Sequence, residues 1–334
     1  MIKGENMGLL RTRQFRIIAV ITVVMLVLVL LFRSHTKSSK SEMPSIRVKK
    51  RLDLSTLKVN KTLETELKEK YELYPAKSRG ATIFVDVQGR VRVPPSFILE
   101  IMEFRDLEEL YHRYIESIQV PCTRQIHLGN HQDGGYDLCE NENVVPAKPC
   151  VVYSFGVRTD FSFDEELSKW YGCVIHSFDP ANGMADHQHS PAVYFHSMGL
   201  WKADEVMNTN WKMRTLNSIK NELGHQKANL AMMKIDIEGA EWDALPEMLK
   251  SGALKGVKQL IMEFHSWVDL PPWQLDHRNK KDYRHHLNVF RRLYEEGFRI
   301  FYFKRFPGQC CLYEDEFDIS RTGCHEIHLM RVFG

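Results

Sequence analysis

From about Cys122 onward the chain alternates short apolar runs, rich in β-branched and aromatic residues, with stretches of helical periodicity. No other feature restricts the fold as strongly. Parallel strands cannot be joined by a tight turn, and a helix is the usual crossover between them. The runs predict strands at Cys150–Phe155, Val174–Phe178, Val193–His196, Ala231–Asp236, Gln259–Glu263, Arg299–Lys304 and His325–Val332. Helical patterns fall near 163–171, 213–223, 240–250 and 282–296. No helical pattern separates the last two runs, so the final strand is expected to return antiparallel. The expectation is an α/β domain over 121–334, with a mostly parallel sheet of seven strands.

Charge narrows the partners. The chain has 45 Lys+Arg against 43 Asp+Glu, and this near balance predicts no nucleic-acid partner. The basic residues gather near the N-terminus, around the uncharged stretch Ile17 to Phe32. Arg11, Arg13 and Arg16 precede it, and the following Arg33-Ser34-His35-Thr36-Lys37 lacks a small-x-small cleavage pattern. It reads as a signal anchor, with 1–16 as a short cytoplasmic tail and 17–32 spanning the membrane. A cleaved signal peptide and a secreted chain is the alternative. Arg33, Lys37 and Lys40 nearly balance the flanking charge, so orientation rests on weaker features. The sequon Asn60-Lys61-Thr62 and seven cysteines favour a lumenal body in the endoplasmic reticulum or Golgi. Cys139 can pair with Cys150, and Cys122 with either; spacing does not choose.

Residues 33–75 read as a stem ending in a helix with Leu63, Leu67, Tyr71 and Tyr74 on one face, stopped by Pro75. Residues 76–120 read as an extension. In it Ala81–Val87 is expected to turn at Gln88-Gly89 and pair with Arg90–Val93. A helix capped by Ser96 then carries Phe97, Ile101, Phe104, Tyr111 and Tyr114 on its apolar face.

Three strand ends carry the chemistry. In open α/β sheets, ligands sit at the carboxyl ends of strands. The first predicted strand runs into Gly156, where a missing Cβ lets backbone approach a ligand. Ser162-Phe163-Asp164-Glu165 has capping-box spacing and would start a helix above that turn. Dinucleotide folds usually show G-x-G-x-x-G, but Arg158 stands where the second glycine would be. The second strand ends in Asp179, roughly twenty residues after the glycine turn, the offset of an acid that accepts ribose hydroxyls. The fourth delivers Asp236, followed by Ile237-Glu238-Gly239-Ala240-Glu241-Trp242. Asp236 and Glu238 lie two apart and can face one way. They could orient a cationic ligand, hold an acceptor hydroxyl, serve as a base or bind a divalent metal. Glu241 reads as a carboxylate favouring a helix N-terminus. His265 follows Glu263 at a strand end, where a base would be useful.

Together, Tyr153-Ser154-Phe155-Gly156, Asp160, Ser162-Phe163, Gly172-Cys173, Phe178-Asp179-Pro180 and Lys234 through Trp242 resemble the methyltransferase-like protein 24 family. The stretch from Lys234 is also similar to that of FkbM-type methyltransferases, many of which methylate sugar hydroxyls. The resemblance runs from about residue 120 to the end. It implies a class I, Rossmann-like fold that binds S-adenosylmethionine, with 121–334 as the methyltransferase domain. By position it places Phe155 and Gly156, with Val157 in the same turn, at the methionine end, Asp179 at the ribose and Asp236 near the transferred methyl. The expected reaction is methylation of an oxygen or nitrogen on an unidentified acceptor, a glycan or a protein. Asp236 or His265 would take the acceptor's proton, while Glu238 and Trp267 would contact the acceptor.

Two other readings share these features. A Golgi-type glycosyltransferase would use Asp236 and Glu238 on a metal-bound nucleotide sugar. A non-catalytic module would keep the fold without turnover, as Arg158 suggests. Asp186-His187-Gln188-His189 reads as a surface loop rather than a metal site. His325 and His328, three apart on a strand, face opposite sides. No dedicated metal site is expected. Trp267, Pro271, Pro272 and Trp273 read as a loop over the active edge.

Overall fold

The structure is a computed structural model that describes residues 61–334, apart from 208–209, 229, 267–279, 307–310, 316–317 and 333–334. The predicted membrane segment, Asn60, Cys310, Trp267 and the Pro271–Trp273 stretch lie outside these residues. No helix among the described residues is long and apolar enough to cross a membrane.

All seven predicted strands are present, and an eighth joins them. In chain order they are β1 (Val151–Phe155), β2 (Val174–Phe178), β3 (His187–Ser190), β4 (Val193–His196), β5 (Leu230–Ile235), β6 (Gln259–His265), β7 (Phe298–Arg305) and β8 (Cys324–Arg331). Their order across the sheet is β7-β8-β6-β5-β1-β2-β4-β3. The strands β6, β5, β1, β2 and β4 run parallel to one another. As expected, β8 runs antiparallel to both of its neighbours. The extra strand is β3, antiparallel to β4. It comes from the histidine stretch predicted as a loop. As an exposed edge strand it needs no apolar alternation, which is why its sequence hid it.

The central strands are apolar on both faces because helices cover both. Every residue of β5 and β6 is buried. Alternation along β1 sends Tyr153 and Phe155 into one core and Val152 into the other. Met233 and Ile235 likewise join the first core, and Met232 the second. The first core also takes α2 (Phe104–Ile115), α4 (Leu216–Glu222), α5 (Glu241–Ser251) and α6 (Lys280–Glu295). The second takes α3 (Ser162–Tyr171) through Phe163 and Leu167. In α2, Leu107, Leu110, Tyr111 and Tyr114 are buried against the same core as the sheet.

The N-terminal part departs from expectation. The first described helix, α1 (Lys61–Tyr71), stops three residues short of Tyr74. Tyr74–Ser78 is a strand instead and pairs antiparallel with Ala81–Val85. The two-residue turn between them is Arg79-Gly80, both with positive φ (48° and 81°), the geometry that matches the twist of a tight hairpin. The expected partner, Arg90–Val93, makes only a bridge from Val91 to Val85. The helix expected from Ser96 to Tyr114 is broken: Ser96–Leu99 forms one turn, and α2 starts after the extended Glu103. The break turns Ile98, Leu99 and Met102 inward and leaves Phe97 exposed. Ser96 does not cap; its hydroxyl donates to Asn288. Nor does Ser162–Glu165 close a capping box. The N–H of Ser162 donates to Asp160 and its hydroxyl accepts from Asn130, so Asp160 meets the helix start instead.

There are two disulfides among the described residues: Cys122–Cys139, one of the pairings left open, and Cys150–Cys173, which was not among them. Cys139 therefore does not pair with Cys150. Cys150 and Cys173 immediately precede β1 and β2, and the N–H of Val174 donates to the Cys150 carbonyl. Their Cα atoms lie 4.8 Å apart, so the cross-link pins the entry of the two central strands. Closing a loop of this length removes about 3 kcal/mol of unfolded-chain entropy. A Cys150→Ser/Cys173→Ser variant is expected to lose stability of that order in urea denaturation. An unchanged midpoint would mean that the cross-link constrains nothing.

Candidate active site

The site lies where β1, β2, β5 and β6 end. β1 stops at Phe155 and the chain turns through Gly156 at φ +77°. A Cβ on Gly156 would stand 1.6 Å from the backbone oxygen of Asp236, so the turns after β1 and β5 touch through this glycine. Arg158 occupies the second-glycine position in a left-handed conformation of its own, φ +48°. Its side chain does not fill the turn; it is 74% exposed and reaches across to Glu238 as an ion pair. Its N–H donates to Asp179 Oδ2 at 2.7 Å, while Asp179 Oδ1 accepts from Ala181 at 2.8 Å. Asp179 is thus a buried carboxylate held from behind, with acceptor capacity left over.

Two cavities meet over this contact. One, of about 1060 Å³, is walled by Phe155, Phe178, Asp179, Leu200, Trp201 and Met213. The other, of about 470 Å³, is walled by Gly134, Tyr136, Val157, Lys234, Glu263 and His265. Gly156, Arg158, Asp236 and Glu238 line both. Strand alternation produces the division. Phe155 and Phe178 point into the first core, whereas Lys234, Asp236, Glu263 and His265 share the opposite parity along β5 and β6.

Lys234 organises the smaller cavity. Though buried, its ammonium donates to the carbonyls of Phe155 and Gly156 at 3.1 and 2.9 Å and lies 3.7 Å from Asp236. It also sits 5.0 Å above the Tyr136 ring, whose hydroxyl donates to Asp236 Oδ2 at 3.0 Å. Asp236 is therefore fixed by a phenol and an ammonium. Tyr136 arrives on the hairpin Gln125–Leu128/Tyr136–Cys139.

A family model described as "Methyltransferase domain" matches residues 105–304, well over half of the chain. The chain belongs to this methyltransferase family. It is 26% identical over 208 residues to the human protein "Probable methyltransferase-like protein 24", covering 57% of this chain and 55% of that one. The rat protein of the same name is 27% identical over 216 residues, 59% of this chain and 58% of that one. The matched region thus spans little more than half the length of these curated relatives. Among solved structures, the antibiotic-resistance methyltransferase Kmr aligns with a TM-score of 0.30 at 12% identity, over 62% of this chain and all of that one.

In this family member, His265 is the electrostatic hub of the candidate site. Its Nδ1 lies 3.3 Å from Glu241, and the same Glu241 oxygen accepts from the Ile237 N–H at 2.8 Å. Its Nε2 faces Glu263, Glu238 and Asp236 at 3.6, 3.7 and 4.0 Å. Burial pulls the imidazole pKa down. The Glu241 hydrogen bond and the charges of Glu241, Asp236 and Glu263 outweigh that and raise it to about 9. His265 is therefore a cation at neutral pH, better suited to giving a proton than to taking one. Burial, with the nearby Asp236 charge, pushes Glu263 up. Burial does the same to Glu241.

Asp236, His265, Gly156, Val157, Asp179 and Glu238 all line the two cavities. Phe155 lies on the Asp179 side, its ring stacked on Phe178 with centroids 4.6 Å apart. Asp236 and Glu238 both line the two cavities and both approach His265 Nε2, but their other partners differ: Glu238 is 63% exposed and pairs with Arg158, whereas Asp236 meets Lys234 and Tyr136. Glu241 does stand in the first turn of its helix, where it accepts from the Ile237 N–H, and it is also fully buried against His265. Sequence reasoning missed Tyr136, Lys234 and Glu263 as site residues. The glycine pair Gly134-Gly135 just before Tyr136 was the available signal for the first. In β8, His325 approaches Glu116 and His328 stacks near Tyr302, on opposite sides as expected.

Proposed function

We propose that this chain is a class I methyltransferase that transfers a methyl group from S-adenosylmethionine to an oxygen or nitrogen of a secretory-pathway acceptor. The observation that carries the reading is the junction of two cavities over Gly156, with Asp179 on one side and Asp236 on the other. A nucleoside with an amino-acid tail is the shape that spans such a junction. The strand order, with one antiparallel strand inserted beside the last parallel one, supports the class I assignment. Asp179 would accept the ribose hydroxyls, and the Phe178, Leu200 and Met213 walls would take the base. The missing Cβ at Gly156 lets the chain pass close to the donor. When bound, S-adenosylmethionine supplies an electrophilic methyl on a sulfonium.

The protein's own contribution is alignment and proton handling. Asp236 sits where both cavities open and is held rigid by Tyr136 and Lys234. It is the better proton acceptor, because His265 already carries a proton at neutral pH. The two disulfides and the apolar Ile17–Phe32 stretch support a lumenal domain anchored at its N-terminus. A sugar hydroxyl is the acceptor that the FkbM-like stretch favours.

The test is calorimetric titration of the full-length chain, in detergent, with S-adenosylhomocysteine. Micromolar binding is expected, weakened on the order of 10–100-fold in Asp179→Ala, the size of lost hydrogen bonds to a charged acceptor. A folded protein that binds no donor product, or an Asp179→Ala variant that binds as tightly as the parent, would refute the assignment.

A further inference from the structure

Glu263 is an anomaly that methyl transfer leaves unexplained. It lies two residues before the end of strand β6, is only 7% exposed and lines the smaller cavity. Its carboxylate has no hydrogen-bond partner among the described residues; the nearest cation is His265 Nε2 at 3.6 Å. Burying a carboxylate without hydrogen bonds is costly unless something compensates it. Beside it, Cys324 opens β8 directly opposite His265 in the strand register. Donor atoms of Glu263, His265 and Cys324 all lie within 4.8 Å of one another, and all three residues are buried.

We propose that Glu263, His265 and Cys324 form a binding site for a divalent transition-metal ion of the zinc type. One carboxylate oxygen, one imidazole nitrogen and one sulfur are the donors such ions take. Three protein ligands with a fourth position open to a cavity is the pattern of sites that bind a reactant. Ligands about 2.1 Å from a tetrahedral ion stand roughly 3.4 Å apart, close to the separation of Glu263 and His265. The arrangement behind His265 fits as well. Glu241 receives the Nδ1 side, itself fixed by the Ile237 N–H, and so presents Nε2 to the ion. The ion would replace the proton on His265 and neutralise Glu263. An ion held there would share the cavity with Asp236 and could hold and acidify an acceptor hydroxyl. That role rests on the methyltransferase reading above; the site itself does not.

The other histidine-rich group, His112, Glu116 and His325, is a weaker candidate. Arg305 already grips both oxygens of Glu116.

The experiment uses tag-free, full-length chain stripped with chelator, and Zn²⁺ and Mn²⁺ as separate probes. Calorimetry should show one Zn²⁺ site per chain, with affinity falling at least 100-fold in Glu263→Gln and His265→Ala. Zn²⁺ should raise the melting temperature of the parent but not of Glu263→Gln. Glu263→Gln keeps the side-chain shape and removes only charge, so loss of folding is not its expected effect. Cys324→Ser should weaken Zn²⁺ more than Mn²⁺, because sulfur favours the softer ion. The proposal is overturned if the parent binds neither ion, or if Zn²⁺ binds the parent and Glu263→Gln alike. S-adenosylhomocysteine binding, measured in the same samples without metal, reports separately on the donor reading.

Discussion

Alanine at position 156 is expected to be the most damaging single-methyl change in the protein. The added Cβ would stand 1.6 Å from the Asp236 carbonyl oxygen, with backbone rather than a flexible side chain in the way. The residue also holds φ +77°, a region that costs an L-amino acid energy even in open space. Strain and overpacking together predict a loss on the order of 3 kcal/mol or more. Relief is possible only by separating the turns after β1 and β5. That would break the Asp236 N–H to Phe155 carbonyl bond and shift the carbonyls that Lys234 holds. Urea denaturation and S-adenosylhomocysteine titration of Gly156→Ala should therefore fail together. If the variant kept parental stability and binding, the two turns could not be in the contact described.

Asp236→Asn is expected to have the largest effect on turnover with the least on folding. The amide keeps the shape and still accepts from Tyr136, but it cannot take a proton. It also removes one of the charges facing His265 and the buried Lys234. Loss of a positioned proton acceptor predicts a fall in kcat of about 10²–10⁴-fold. The check is release of S-adenosylhomocysteine with any acceptor that supports turnover by the parent. Melting curves should stay close to the parent's. Turnover within a few-fold of the parent would transfer the proton-accepting role elsewhere. A Tyr136→Phe variant made beside it separates positioning from chemistry. Losing the hydroxyl frees Asp236 to move but leaves a carboxylate in place to take the proton, so kcat should fall less than in Asp236→Asn.

Much of the fold was legible because it follows from local pattern. Strands covered by helices on both faces must be apolar throughout, and runs such as Leu230–Ile235 announce this without any knowledge of their neighbours. The failures have physical reasons as well. The edge strand His187–Ser190 carries no apolar alternation because solvent, not a core, faces it. The hairpin turn at Arg79-Gly80 was hidden by a helical pattern that happened to continue through Tyr74. The break at Glu103 depends on which residues find the core, whereas periodicity pointed to one continuous helix with a single apolar face.

The amino-acid sequence by itself determined seven of the eight strands of the main sheet, in chain order, and three of the places where they end, Gly156, Asp179 and Asp236. Those ends depend on residues within a few positions of each other, so short-range chemistry carries them. Only the tertiary structure decided what gathers around Asp236. Tyr136, Lys234, Glu241, Glu263, His265 and Cys324 come from a hairpin, a helix and three strands. What brings them together is the register of β5, β6 and β8 and the packing of that hairpin over the sheet. Register is set by the burial of whole faces, not by the polar residues themselves. A buried carboxylate such as Glu263 therefore cannot be told from an ordinary surface acid until the strands beside it are in place.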